Sequence, residues 1–444
     1  MKTRILKYWD RIRSSFWFIP ISMALGAMIL AFMALSFDIV VTEWFERTLN
    51  WSFTGSAEGS SVVLGTIAGS MITITGVVFS MTLVALSLAS SQFGPRMLRN
   101  FMSDTTTQVV LGTFIATFIY SLLVLRNIRN IEGSVVLTPH FSVSLGVILA
   151  VVSLGVLIYF IHHVSVSVQA NEIVMRVSKE LSDGIESLFP DKEENEESAQ
   201  QIHEKSYDDG FLKILHRDAY SIDANKDGYL QFVDYGVLLA LAKEKNIVIE
   251  LKRRPGQYVV AKRELLMVWP AQSVDEELIK QLHGVFTLGN QRIPRQDIEC
   301  TVNQLVEIAL RALSPGINDP FTAMTCVDRL GSALSLLTER KMPLPYRYDE
   351  EGELWLVTSV VTFSTMMDAA LNQIRQYAHS SAAVTIRLLE TIAVIGESAN
   401  RIEDRTALLR HAEMISRGAD KGLFEIDDRL EVEQRYIDII KLLK

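Results

Sequence analysis

Cysteine is scarce in this chain: Cys300 and Cys326 are the two among 444 residues. Two cysteines build no disulfide framework. They suit a reducing compartment, and nothing beside them has the spacing of a metal cluster. Basic charge is also short. The formal net charge is −9, whereas a nucleic-acid binder needs a basic face against phosphates, so no nucleic-acid partner is expected. Common catalytic signatures are missing. There is no Gly-x-Ser-x-Gly elbow, no phosphate-binding Gly-Lys-Ser/Thr loop, no His-Glu-x-x-His and no Cys-x-x-Cys. Four long apolar segments also lack Asp, Glu, Lys and Arg in their middles. Proton-coupled carriers and voltage sensors keep ionisable groups at membrane depth. A pore, a sensor or an anchored scaffold is therefore expected ahead of a coupled transporter.

What is present points to two environments. The chain is 49% hydrophobic yet 21% charged, and its mean hydropathy is +0.21. That combination predicts a membrane part joined to a large soluble part. The apolar segments fall at about 16–41, 62–90, 109–125 and 141–161, each near the ~20 residues that cross a bilayer core. The first is too long for a signal-peptide core and reads as a retained anchor. The N-terminal arm carries Lys2, Arg4, Lys7, Arg11 and Arg13. Basic residues stay on the cytoplasmic side, so both termini are expected in the cytoplasm. Trp9, Trp17, Trp44 and Trp51 flank the first span as an aromatic belt would.

The second segment has a seven-residue pattern. Thr66, Thr73, Ser80 and Ser87 recur at heptad spacing, with Gly69, Gly76, Leu83 and Ser90 offset by three. Seven of these eight positions are small and five carry a hydroxyl. A small-residue seam lets helix backbones approach closely in lipid, and Gly65 with Gly69 adds a small-xxx-small pair. The pattern predicts a helix central to a membrane bundle. Its seam either packs or lines a path for small ions or solutes in a homo-oligomer.

Beyond the spans, residues 1–163 are expected to form the membrane domain and 164–206 a membrane-proximal helix with an acidic linker. A small α+β module is expected at 207–271 and a helical domain at 272–444. Val174, Val177, Leu181, Ile185 and Leu188 form an amphipathic stripe. His162 and His163 point to different sides of a helix and read as interfacial polar rings rather than a metal pair. In the module, 228–231, 247–251, 257–260 and 265–269 read as strands and 238–245 as a helix. Helices follow at 274–287, 295–313, 319–339, 354–378, 382–400, 404–417 and 427–443, with room for a hairpin at 340–353.

Two short motifs invite chemistry. Asp223, Asn225, Asp227, Tyr229 and Asp234 match the ligand spacing of a calcium loop, with Gly228 at its turn. Calcium or magnesium is thus the one cofactor to consider. The same residues also suit a turn leading into a strand. The second motif is Ser314-Pro315-Gly316-Ile317-Asn318-Asp319-Pro320. Pro315 stops a helix, Gly316 can cap it in the left-handed region, and Asp319 with Pro320 starts the next helix. A polar helix start there could hold an anion, with Arg292, Arg295 and Arg311 nearby in sequence.

This second motif, together with Phe79 to Arg96 and Arg254-Pro255-Gly256, resembles a bacterial family of predicted membrane proteins, domain of unknown function 2254. The resemblance implies four spans and a soluble tail over nearly the whole chain, in a bacterial inner (plasma) membrane, and it brings no activity. The full expectation is a four-helix multi-pass membrane domain, then a cytoplasmic α+β module, then a mostly helical C-terminal domain. The lipid bilayer and further copies of the chain are the expected partners.

Overall fold

The structure is a computed structural model that describes residues 16–48, 57–94, 104–128, 139–167, 169–191, 217–349 and 351–444, with the side chains of 39–48 left aside. The expected linker at 192–206 lies outside the described residues, as do Trp9 and Trp51 and the side chain of Trp44. The chain forms two compact units, Met1–Glu172 and Ile173–Lys444.

The first unit holds four helices: α1 (Phe18–Thr48), α2 (Ala57–Phe93), α3 (Thr105–Asn127) and α4 (His140–Ser167). All four are long and apolar enough to cross a membrane. Asp104 starts α3 by accepting from the Thr106 and Thr107 N–H groups. The start of α4 is capped from another helix: Asp38 of α1 accepts from the Phe141 and Ser142 N–H groups at 2.9 Å each. A carboxylate thus satisfies helix-end donors that lipid would leave orphaned.

The centre of this unit is α3, not α2. It packs against α1, α2 and α4, and 50% of its apolar stretch is buried against 11% for α2. The small residues that decide this lie outside the heptad seam. A Cβ on Gly112 of α3 would sit 2.5 Å from Met23 Sδ of α1, and one on Gly146 of α4 would sit 2.9 Å from Leu64 of α2. Both glycines mark places where helices approach closely. Hydroxyl pairing across helices also involves α3: Thr117 and Ser153 of α4 bond at 3.0 Å, and the Tyr120 hydroxyl donates to the Ser142 carbonyl at 2.9 Å.

The second unit begins within α5 (Ala170–Leu188), whose Val174, Val177, Leu181 and Ile185 are buried. A mixed region follows: β1 (Tyr220–Asp223), β2 (Gly228–Val233), α6 (Tyr235–Lys245), β3 (Val248–Leu251), β4 (Tyr258–Val259), β5 (Glu264–Trp269), α7 (Glu276–Val285) and β6 (Phe286–Gly289). The rest is α8 (Ile298–Ala312), α9 (Pro320–Glu339), the hairpin β7 (Tyr346–Tyr348) and β8 (Leu354–Thr358), then α10 (Phe363–Ala378), α11 (Ala382–Ser398), α12 (Ile402–Gly422) and α13 (Ile426–Leu443).

The strands form a five-stranded sheet ordered β1-β5-β3-β8-β7 and a three-stranded one ordered β4-β2-β6. Strand β8 runs parallel to β3, with Ile249 opposite Leu356. Both sheets therefore join residues from either side of position 271. Helix 354–378 was expected as one element, yet residues 354–358 are strand. The helix starts at Phe363, where Thr362 and Thr365 cap one another reciprocally. An apolar run such as Leu-Trp-Leu-Val-Thr has no period that separates a buried strand from a buried helix.

Candidate functional site

The heptad face of α2 points away from the other described helices of its unit. Thr66, Gly69, Thr73, Gly76, Ser80 and Ser87 are exposed and Ser90 is half-buried. The buried face is a different one, carrying Leu64, Ala68, Met71, Val78 and Ala89. A Cβ on Gly65, Gly69 or Gly76 would meet nothing within 4 Å. The hydroxyls turn inward on their own helix: Thr66 donates to the Val62 carbonyl, Thr73 to Gly69 and Ser80 to Gly76, at 2.7–2.9 Å. Such back-bonding satisfies a hydroxyl in a lipid-facing position without a second helix.

A polar cluster lies at one end of the same bundle. His163 Nε2, near the end of α4, is 2.9 Å from Asp104 Oδ2 and 3.3 Å from Ser167 Oγ. The Thr107 hydroxyl donates to the same carboxylate oxygen at 2.7 Å. Asp104 and His163 are each 20% exposed, and Tyr159 stacks on the imidazole with ring centroids 6.0 Å apart. The reading of His162 and His163 as interfacial polar rings names no partner; at His163 the partner is Asp104. Asp104 lies one residue before α3 and 59 residues from His163, so no sequence spacing announces the pair.

The corner at 314–320 is built by hydrogen bonds within itself. Ser314 Oγ donates to the Arg311 carbonyl at 2.6 Å, and the Asn318 N–H donates to the Ser314 carbonyl at 2.9 Å. Asp319 caps α9 by accepting from the Thr322 N–H, with Pro320 in the first turn. Asn318, at φ +51°, takes the left-handed position expected of Gly316, because a short amide side chain tolerates that region. Pro315, Gly316 and Ile317 are exposed.

The residues of the calcium-loop pattern are drawn apart. Asp223 ends β1, Asn225 lies in the turn, Tyr229 lies on β2, and Asp234 caps α6 by accepting from the Val237 N–H. Asp227 accepts from the Ala261 N–H at 2.7 Å. Six residues of extended strand span roughly 20 Å, so the chain runs straight where a calcium loop would wrap. Among the described residues, no three His, Cys, Asp or Glu side chains gather as a metal site.

Sequence reasoning missed a charge network around the Arg254-Pro255-Gly256 turn. Asp297, 3% exposed, caps α8 and pairs with Arg292 through two bonds of 2.6 and 2.7 Å. Those bonds raise the already high Arg292 pKa further. Arg254 pairs with Glu299 at 2.6 Å. Gly256 lies directly against the Asp297 carboxylate.

Comparison with known proteins adds kinship. The family model described as "Predicted membrane protein (DUF2254)" matches residues 13–394. The uncharacterized proteins Rv1290c of Mycobacterium tuberculosis and Mb1321c of Mycobacterium bovis are each 30% identical over 436 residues, covering 95% of this chain and 80% of each relative. No solved structure matches.

Proposed function

We propose that this chain, which belongs to the DUF2254 family of predicted membrane proteins, is a channel-like homo-oligomer of the bacterial inner membrane. Copies meet along the outward face of α2, and both termini lie in the cytoplasm. That face frames a path for small ions or solutes, and the unit Ile173–Lys444 acts as its gate or vestibule. One observation carries the reading: a glycine and hydroxyl face that is open in the single chain, opposite a separate apolar face used for internal packing. Small residues permit close backbone contact between helices. Uncharged hydroxyl rings give weak selectivity. At 37 residues, α2 is about 55 Å long, well beyond a core of about 30 Å.

Ser80→Leu tests the reading. Purified protein with Ser80→Leu is expected to assemble normally in detergent, yet to lose about tenfold of its single-channel conductance in planar bilayers, as a bulky ring closes a narrow path. Thr73→Cys is expected to crosslink between copies, while Ala68→Cys on the buried face is not. Absence of conductance in the wild-type protein together with absence of crosslinking at Thr73 removes the proposal. A second reading, a membrane-anchored sensor or scaffold, draws on the size and independent cores of the Ile173–Lys444 unit. It is favoured if Thr73→Cys crosslinks but no conductance appears.

A further inference from the structure

The Asp104–His163 pair lines a half-open cleft of about 260 Å³ in the first unit. Four elements close around it: Phe16 and Trp17 ahead of and at the start of α1, Phe79 and Leu86 on α2, the cap of α3, and the last turns of α4. A cleft of that size admits several heavy atoms of an occupant. Its polar side is also more than the fold requires. Asp104 caps α3 through the Thr106 and Thr107 N–H groups alone, and the histidine is an addition to that cap. An apolar cleft and an acid–imidazole pair thus coincide, and the cap alone does not require the histidine.

The lining selects the chemistry of an occupant. Most of it is hydrocarbon and aromatic, which suits an apolar body. Among the described residues that line it, Asp104 is the one carboxylate and there is no Lys or Arg. An anionic head group would have no positive partner except a protonated His163. A cationic head would meet Asp104 directly, with the aromatic rings of Phe16 and Trp17, themselves in edge contact at 5.8 Å, available for cation–π attraction. We propose that this cleft is a binding site for an amphipathic ammonium, a protonated amine carried on a hydrocarbon chain. The site lies within one chain and is independent of assembly through α2. The amine comes either from an ethanolamine lipid of the bilayer or from a free amphipathic amine.

The test compares decylamine with 1-decanol, of equal chain length but neutral, titrated by calorimetry against the full-length protein in maltoside micelles. Asp104→Asn keeps a good N-cap side chain and removes the charge. It is expected to weaken decylamine binding about tenfold, the worth of one charge-assisted hydrogen bond, while decanol binding stays unchanged. His163→Gln leaves both cap and carboxylate, and is expected to bind decylamine at least as tightly as the wild type. Equal amine affinity in wild type and Asp104→Asn overturns the proposal. So does an equal loss for decanol, or a loss with His163→Gln as large as that with Asp104→Asn. Native mass spectrometry from nanodiscs with ethanolamine lipid separates the sources. Lipid retained by the wild type and lost with Asp104→Asn assigns the bilayer, and decylamine binding without lipid retention assigns a free amine.

Discussion

Replacing Gly256 with alanine is expected to destabilise the Ile173–Lys444 unit by about 3–5 kcal/mol, from left-handed backbone strain plus a disturbed buried ion pair. Gly256 has φ +93°, a region that L side chains rarely enter. A Cβ there would lie 2.3–2.6 Å from all three atoms of the Asp297 carboxyl group. That carboxylate cannot swing aside cheaply. It holds Arg292 through two bonds and accepts from the Cys300 N–H at the start of α8. Moving it leaves a buried charge without its partner, the costly way to break such a pair. Denaturant unfolding followed by tryptophan fluorescence measures the loss, and Gly284→Ala is the control. Gly284 sits exposed on α7 with nothing within 4 Å of an added Cβ, so there alanine should stabilise by up to about 1 kcal/mol through helix propensity. Similar effects at the two positions would show that Gly256 is not tied to Asp297.

The Gly256 contact also shows where sequence reading stops. Four spans were legible because about twenty consecutive apolar residues have few alternatives. The Asp319-Pro320 helix start was legible because capping is local chemistry. The seam on α2 was visible as a pattern, but periodicity does not say whether a face meets its own chain or the outside. Gly112 marks a close approach of α3 to α1 that no periodicity in the sequence announces. The proximity of Gly256 to Asp297 depends on the path of the 40 residues between them, and the Asp104–His163 pair depends on two helix ends meeting. Neither arises from local propensity. The strand at 354–358 was hidden for a different reason: its run of apolar residues continued the helical pattern after it, and the Thr362 cap that divides them was overlooked.

Acid is expected to loosen the helical part of the second unit before its carboxylates protonate, and His411 is the cause. This α12 side chain is fully buried, and burial lowers its pKa to about 4 despite the opposing pull of Asp368, whose Oδ1 lies 3.1 Å from its Nε2. Arg410, which also binds Asp368 at 2.8 Å, adds a repelling charge. An unfolded chain binds a proton at this imidazole below about pH 6.5, whereas the folded one does so only near pH 4. Stability is therefore complete above pH 6.5 and falls as pH drops through that window, by about 3 kcal/mol in total. The His411 Nδ1 atom has no hydrogen-bond partner, so a proton arriving there has no acceptor of its own and Asp368 at Nε2 offsets the charge only in part. Hydrogen exchange of α10 and α12 at pH 7.5, 6, 5 and 4.5 reads the effect. The wild type should lose protection progressively, while His411→Leu, which has no proton to bind, should hold a nearly constant level across that range. Asp368 keeps Arg410 and Asn372 as partners in that variant, so its carboxylate is not stranded. Identical slopes in the two proteins would assign the acid response to other groups.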